Sequence, residues 1–232
     1  NAVNVHLSTG LIQQPLDAHL FLDVWEKAIN EGRSPEDVFK SRLQVMRDLV
    51  AWRLFGQSES KDRLNIDINR ARKAVSKLAA FVILSGKQDF SVQPMAVGDA
   101  MNAANILSTD IEAWTPAEVR QLLACGLFQP SVGGRIMFAH REIRDFLAAE
   151  HFDESLRARA YSEEAILPLF AEGLGRRSIP QSTEHVMGWL AALNSSAKAV
   201  VVNVRPALLI ETGDPKSLSV GDKEIVLRQQ AH

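Results

Sequence analysis

The chain is poor in the features that build covalent or membrane-embedded frameworks. It has 232 residues and one cysteine, Cys125, which excludes an internal disulfide and predicts a reducing, cytoplasmic setting. Cys125 lies in an apolar stretch and is interpreted as an inert, buried thiol. No apolar run approaches the ~20 residues that a membrane-spanning helix needs, so we expect no membrane partner.

The motifs of a complete active site are missing as well. The sequence has no glycine-rich phosphate loop, no strand that ends in magnesium-binding acids and no nucleophile elbow. Its 6 histidines never stand at a metal-ligand spacing. We therefore expect no catalytic residues, no metal site and no cofactor held by this chain alone, and whether it belongs to an enzyme stays open.

Charge is close to balanced. There are 26 basic and 28 acidic residues, giving a net charge of −2. A balance of this kind does not favour nucleic acid or an anionic membrane as a partner.

What the sequence does have is helical periodicity. Hydrophobic residues make up 46% of the chain, enough for a packed core, and many recur at helical spacing. Capping residues, prolines and early acids mark helix starts at Ser34 and Thr115. The pattern predicts a mainly α fold with helices near residues 20–28, 34–52, 68–84, 100–107, 115–125, 162–172, 182–193, 196–204 and 219–230.

One β-hairpin is predicted at residues 127–138. Gly133 and Gly134 would supply the positive φ angles of its tight turn. A winged helix is expected to have helices followed by a hairpin, and this sequence has that order. A further helix follows the hairpin here. A break in the pattern at residues 56–60 marks the first predicted domain boundary.

His140 stands where the second hairpin strand runs into that appended helix. A helix start has unpaired N–H groups and a positive dipole end, so it suits an anion. A histidine there can donate to a phosphate and changes charge near neutral pH. The pattern favours a nucleotide-sensing position over a catalytic one. The competing interpretation is a structural cap or a histidine hydrogen-bonded within the core.

The stretch around His140 resembles a segment of NACHT-type STAND ATPases, the signalling NTPases of innate immunity and bacterial defence. That segment has the form F-x-H-x-x-x-x-E-[FY]-L-A-A and closes their winged-helix domain. Asp145 replaces the usual Glu here, Arg144 stands where Gln is frequent and Glu142 where Ser is frequent. The matching residues are Phe138, His140, Phe146, Leu147, Ala148 and Ala149.

The resemblance extends over most of the chain and implies three domains. These are a helical domain at 1–60, a winged helix at 61–153 and, at 154–232, a second helical domain or the start of helical repeats. Gly188-Trp189-Leu190-Ala191 and Gly213-Asp214-Pro215 resemble the start of that last region. Because the chain opens on Asn1 rather than Met, we expect it to be part of a larger protein.

The resemblance also implies a function. His140 would contact the β-phosphate of ADP and help to hold a closed, resting state. ADP or ATP with magnesium would be bound by a nucleotide-binding domain of the same polypeptide, and nucleotide exchange would be relayed to homo-oligomerisation. Two alternatives stay open: a winged-helix DNA-binding regulator and a purely structural helical scaffold. The near-neutral helix 115–125 and the wing without a basic residue disfavour DNA.

The sequence contains one cluster of basic residues on a helix, made up of Arg70, Arg72, Lys73 and Lys77. Positions 70, 73 and 77 share a face of the predicted helix. A solvated face is favoured over a phosphate-binding face.

Overall fold

The computed structural model describes residues 41–55, 66–91, 101–110, 112–171 and 178–230, together with single positions between residues 22 and 34. The chain is mainly helical with one small sheet, which confirms the predicted fold class. It divides into two compact units, one formed by Asn1–Leu49 with Leu167–His232 and the other by Val50–Ile166. Residues 61–153, the predicted winged helix, lie within the second unit, and the three predicted domain boundaries stay predictions.

The part of the chain that the structure describes contains ten helices of the α type and four short strands. In order they are α1 (Arg42–Phe55), α2 (Ile68–Ser85), β1 (Asp89–Ser91), β2 (Met101–Asn102), α3 (Ala103–Leu107), α4 (Pro116–Leu123), β3 (Phe128–Pro130), β4 (Ile136–Phe138), α5 (Arg141–Arg157), α6 (Glu163–Ile166), α7 (Glu184–Leu193), α8 (Ser195–Val204), α9 (Leu208–Glu211) and α10 (Val220–Gln230). Short 3-10 turns cover Val132–Gly134, Leu167–Leu169 and Pro215–Ser217.

Several helix predictions are confirmed closely. α2, α4, α7, α8 and α10 begin and end within about two residues of the predicted bounds, which is the usual scatter of helix termini. The helix predicted at 34–52 begins later than expected, because Ser41 is not helical and α1 runs from Arg42 to Phe55; residues 35–40 lie outside the described part. Of the predicted helix at 20–28, Leu22, Trp25 and Glu26 are helical. The break at 56–60 lies outside the described residues.

Local chemistry sets the ends of α2. The Asp67 side chain accepts hydrogen bonds from the backbone N–H groups of Asn69 and Arg70, which caps the first turn. Gly86 ends the helix in the left-handed conformation, with φ 69°, and its N–H donates to the carbonyl of Val82. The buried face of α2 packs along α5, and this pair of helices forms much of the core of the second unit.

The sheet is larger than the predicted hairpin. Its strand order is β2-β1-β4-β3, with β1 parallel to β2 and antiparallel to β4. Phe90 of β1 stacks edge-on against Phe128 and Phe138, with ring centroids 6.0 and 5.9 Å away. Along the chain, α2, α3 and α4 precede the β3–β4 hairpin, which is the order of elements predicted from the sequence.

The hairpin itself is as predicted. β3 pairs antiparallel with β4, placing Phe128 opposite Phe138. Gly133 and Gly134 both have φ near 72°, and the N–H of Ser131 donates to the carbonyl of Arg135 at 2.7 Å. The turn therefore needs glycine at both positions, because glycine adopts a positive φ without the steric penalty of a Cβ atom.

In the other unit, helices α7 to α10 pack against one another, and the indole of Trp189 on α7 is fully buried. The guanidinium of Arg42 lies 5.2 Å from the Trp189 ring centroid, and its Nη1 donates to the carbonyl of Glu211 at 2.9 Å. Ser41 Oγ donates to Asp214 Oδ2 at 2.6 Å. These contacts join the start of α1 to the turn that follows α9.

Candidate functional site

The site centres on the junction between β4 and α5. Ala139 donates its N–H to the carbonyl of Leu127 at 2.9 Å, which extends the hairpin ladder by one bond. His140 then takes an extended conformation, with φ −133° and ψ 125°, and is the N-cap residue of α5. Its carbonyl accepts the N–H of Arg144 at 3.1 Å, the first bond of the helix. The strand-to-helix junction at His140 is therefore as predicted.

The imidazole of His140 is half-buried, and its Nδ1 atom is covered by the protein. The side chain makes no capping hydrogen bond to the first turn of α5. The helix behind it has 17 residues, long enough for its dipole to place positive partial charge at this end. The chemistry available here is that of an anion contact, in which a ring nitrogen donates beside a positive helix terminus.

A buried ion pair lies one turn further along α5. Asp145 is 1% exposed and accepts from Arg144 Nε at 2.8 Å and Nη2 at 2.6 Å. Arg144 Nη1 also donates to Gln88 Oε1 at 2.5 Å, and Arg141 Nε lies 3.4 Å from Asp145 Oδ2. The pair ties the first turns of α5 to the residue just before β1. The sequence gives no sign of this tie between α5 and β1, because Gln88 and Arg144 are 56 residues apart.

The apolar residues of the same stretch form core. Five of them are buried, namely Phe138, Phe146, Leu147, Ala148 and Ala149. The packing of α5 against α2 holds the His140 end of the helix in place.

All four basic residues of α2 form ion pairs, but they differ in exposure. Arg72 meets the Glu150 carboxylate through Nε at 3.2 Å and Nη2 at 2.7 and 3.0 Å. Arg70 and Lys77 have side chains only 22% and 16% exposed, whereas Lys73 is 68% exposed. The predicted solvated face therefore describes Lys73, while carboxylates from other elements cover much of Arg70 and Lys77.

The surface that a DNA reader would use is nearly free of positive charge. On α4 the exposed residues are Pro116, Ala117 and Arg120. Glu118 of the same helix accepts from Arg70 at 2.8 Å. The wing tip carries Val132, which is 88% exposed. One arginine on the exposed face of α4 offers little phosphate neutralisation.

Comparison of the chain with protein-family models, with curated proteins and with solved structures gave no match. The NACHT-type resemblance therefore rests on the residues quoted for it. In the part of the chain that the structure describes, no helix is both long and apolar enough to cross a bilayer.

Proposed function

We propose that this chain is a regulatory interdomain module of a STAND-type NTPase, in which His140 contacts the phosphate of ADP. The observation that supports this most is the position of His140, half-buried at the start of the 17-residue helix α5, directly after the hairpin. The nucleotide itself, with magnesium, would be held by a nucleotide-binding domain of the same polypeptide in the cytoplasm.

The energetics of such a contact are sufficient for a regulatory clamp. A helix dipole contributes ~0.3–1 kcal/mol to an anion at an exposed N-terminus. A hydrogen bond to a charged phosphate contributes roughly 1.5–3 kcal/mol. Since ~1.4 kcal/mol is one decade in affinity, losing the imidazole should weaken ADP binding by about tenfold or more. A closed state that depends on this contact would then lose population to the open, oligomerising state.

The test compares the full-length protein with its His140→Ala and His185→Ala variants. His185 lies on α7, in the other unit, and serves as the matched control. We expect His140→Ala to weaken ADP binding about tenfold and to oligomerise without a trigger, while His185→Ala behaves as wild type. Equal ADP affinity and equal oligomerisation in all three proteins would refute the clamp and favour a purely structural scaffold.

The DNA-binding alternative has a separate test. Fluorescence anisotropy with duplex DNA at physiological salt should show no tight, sequence-dependent binding, because the exposed face of α4 carries one arginine and the wing tip carries Val132. Tight binding that was lost in Arg120→Ala would establish the DNA-binding function instead.

A further inference from the structure

A cleft separate from the His140 junction opens on the basic face of α2. It has a volume of about 660 Å³. It is bounded by α2, by the part of α5 that carries His151 and Glu154, and by the side chains of Thr109, Asp110, Glu112 and Trp114. The described residues that line it all belong to the unit Val50–Ile166. Its size lies within the range of ~300–1,000 Å³ typical of small-molecule sites.

The floor of the cleft is a chain of side chains, each in contact with the next. Lys77 Nζ donates to Asp110 Oδ1 at 2.5 Å, and Trp114 Nε1 donates to Asp110 Oδ2 at 2.8 Å. The guanidinium of Arg70 lies 4.3 Å from the Trp114 ring centroid and donates to Glu118 at 2.8 Å. Because each side chain contacts the next, the floor is preorganised. Asp110 neutralises the charge of Lys77, and Glu118 neutralises that of Arg70.

The rim is different, because its charges are exposed and weakly held. Lys73 Nζ meets Glu154 at 3.0 Å, but the two side chains are 68% and 52% exposed. Glu112 is 76% exposed and lies 3.3 Å from Arg70 Nε, which belongs to the floor. Exposed ion pairs contribute ~0–1 kcal/mol, so these rim groups can exchange partners at little cost.

The charge of the lining restricts the ligand. Three basic and four acidic side chains line the cleft, namely Arg70, Lys73 and Lys77 against Asp67, Asp110, Glu112 and Glu154. A polyanion would face this acidic excess, and an apolar compound would strip water from seven charged groups without replacing it. A small ligand with one positive and one negative group can pair with both the basic and the acidic side chains of the rim.

We propose that this cleft binds a small zwitterion, a free amino acid or a short peptide, with Lys73 taking the carboxylate and Glu112 the ammonium group. His151 lines the cleft beside Glu154. Burial, above all, lowers the pKa of His151, so its imidazole is neutral near pH 7 and offers the ligand one donor and one acceptor. This inference is independent of the proposed contact between His140 and ADP.

The test uses the 232-residue chain and matched pairs of probes. Saturation-transfer NMR would screen the free amino acids and triglycine against their N-acetyl methylamide forms, which lack both charges. Inorganic phosphate, which has no carbon-bound protons and is followed by the broadening of its 31P signal, serves as the purely anionic probe. We expect the free forms to bind and the capped forms and phosphate not to bind.

Variants then assign the binding to the rim. Lys73→Ala and Glu112→Gln should each weaken the binding of the free form about tenfold, the loss of one charge-assisted hydrogen bond. Lys223→Ala and Glu224→Gln, exposed substitutions of the same residue types on α10, should leave it unchanged. The proposal is overturned if no free amino acid or triglycine binds, if phosphate binds in preference, or if both rim variants bind as wild type does.

Discussion

Gly188 on α7 lies against Thr212, at the end of α9, so closely that no other residue fits. A Cβ atom added at Gly188 would lie 1.7 Å from Thr212 Oγ1, 2.9 Å from Thr212 Cβ and 3.3 Å from the carbonyl oxygen of Leu208. Thr212 is buried, and its hydroxyl donates to that same carbonyl at 3.1 Å. Rotating the threonine would relieve the first contact but not the second. Gly188→Ala therefore requires α7 and α9 to move apart.

The magnitude follows from two opposing effects. Alanine is favoured over glycine inside a helix by about 0.5–1 kcal/mol. Overpacking a core position costs ~1–3 kcal/mol, and losing the buried Thr212 hydrogen bond costs about 0.5–1.5 kcal/mol more. We expect Gly188→Ala to lower the free energy of unfolding by about 2 kcal/mol.

Gly221 on α10 provides the matched control. A Cβ atom there would meet only Ser219 Oγ, at 3.9 Å. Gly221→Ala should therefore raise the free energy of unfolding by the helix-propensity difference of about 0.5–1 kcal/mol. Urea denaturation followed by circular dichroism measures both variants. A double variant, Gly188→Ala with Thr212→Ala, should be more stable than the two single effects predict, because the closest clashing atom is gone.

The outcome that refutes this reasoning is a Gly188→Ala protein as stable as wild type or as Gly221→Ala. Additive behaviour of Gly188→Ala and Thr212→Ala would also count against it, since residues in direct contact should couple.

Three further effects can be measured. Thr115→Ala removes the capping box with Glu118 and should lower the free energy of unfolding, measured by urea denaturation, by ~1 kcal/mol. Thr115→Ser should lower it less. Equal stability of the wild type and both variants would contradict the role of Thr115 as a cap. Burial raises the pKa of the Cys125 thiol to about 11, so alkylation at neutral pH should run roughly a hundredfold slower than in the urea-unfolded chain, and equal rates would contradict it. Burial lowers the pKa of His151, so the unfolded chain binds its proton first and stability should fall as the pH drops through about 6.5. That acid sensitivity should be weaker in His151→Gln, and an unchanged pH slope would contradict the assignment.

The sequence alone predicted the features that arise from neighbours within about one helical turn. The N-cap at Thr115 and the turn glycines Gly133 and Gly134 each act on backbone only a few residues away. Periodicity located α2, α7, α8 and α10 for the same reason, since one face of a helix repeats every three to four residues. The junction at His140 follows from the hairpin and the helix that flank it.

Short elements held by distant partners escaped prediction. β1 and β2 have three and two residues, too few for any alternation to show, and they exist because Phe90 pairs across the sheet with Met101 and Ile136. The four-residue helix α9 likewise leaves no periodic trace.

Only the tertiary structure shows which charged side chains form ion pairs and which glycine is required by close packing. Arg70 finds Glu118 across 48 residues and Lys77 finds Asp110 across 33, so neither pair can be identified from spacing along a helix. The same holds for the close approach of Gly188 to Thr212, and for the cleft whose rim sets Lys73 beside Glu154. Local backbone preferences act over a few residues, so they can be predicted from the sequence. The partner of a buried charge, and the side chain that packs against a glycine, are determined only when separate elements come together in the fold.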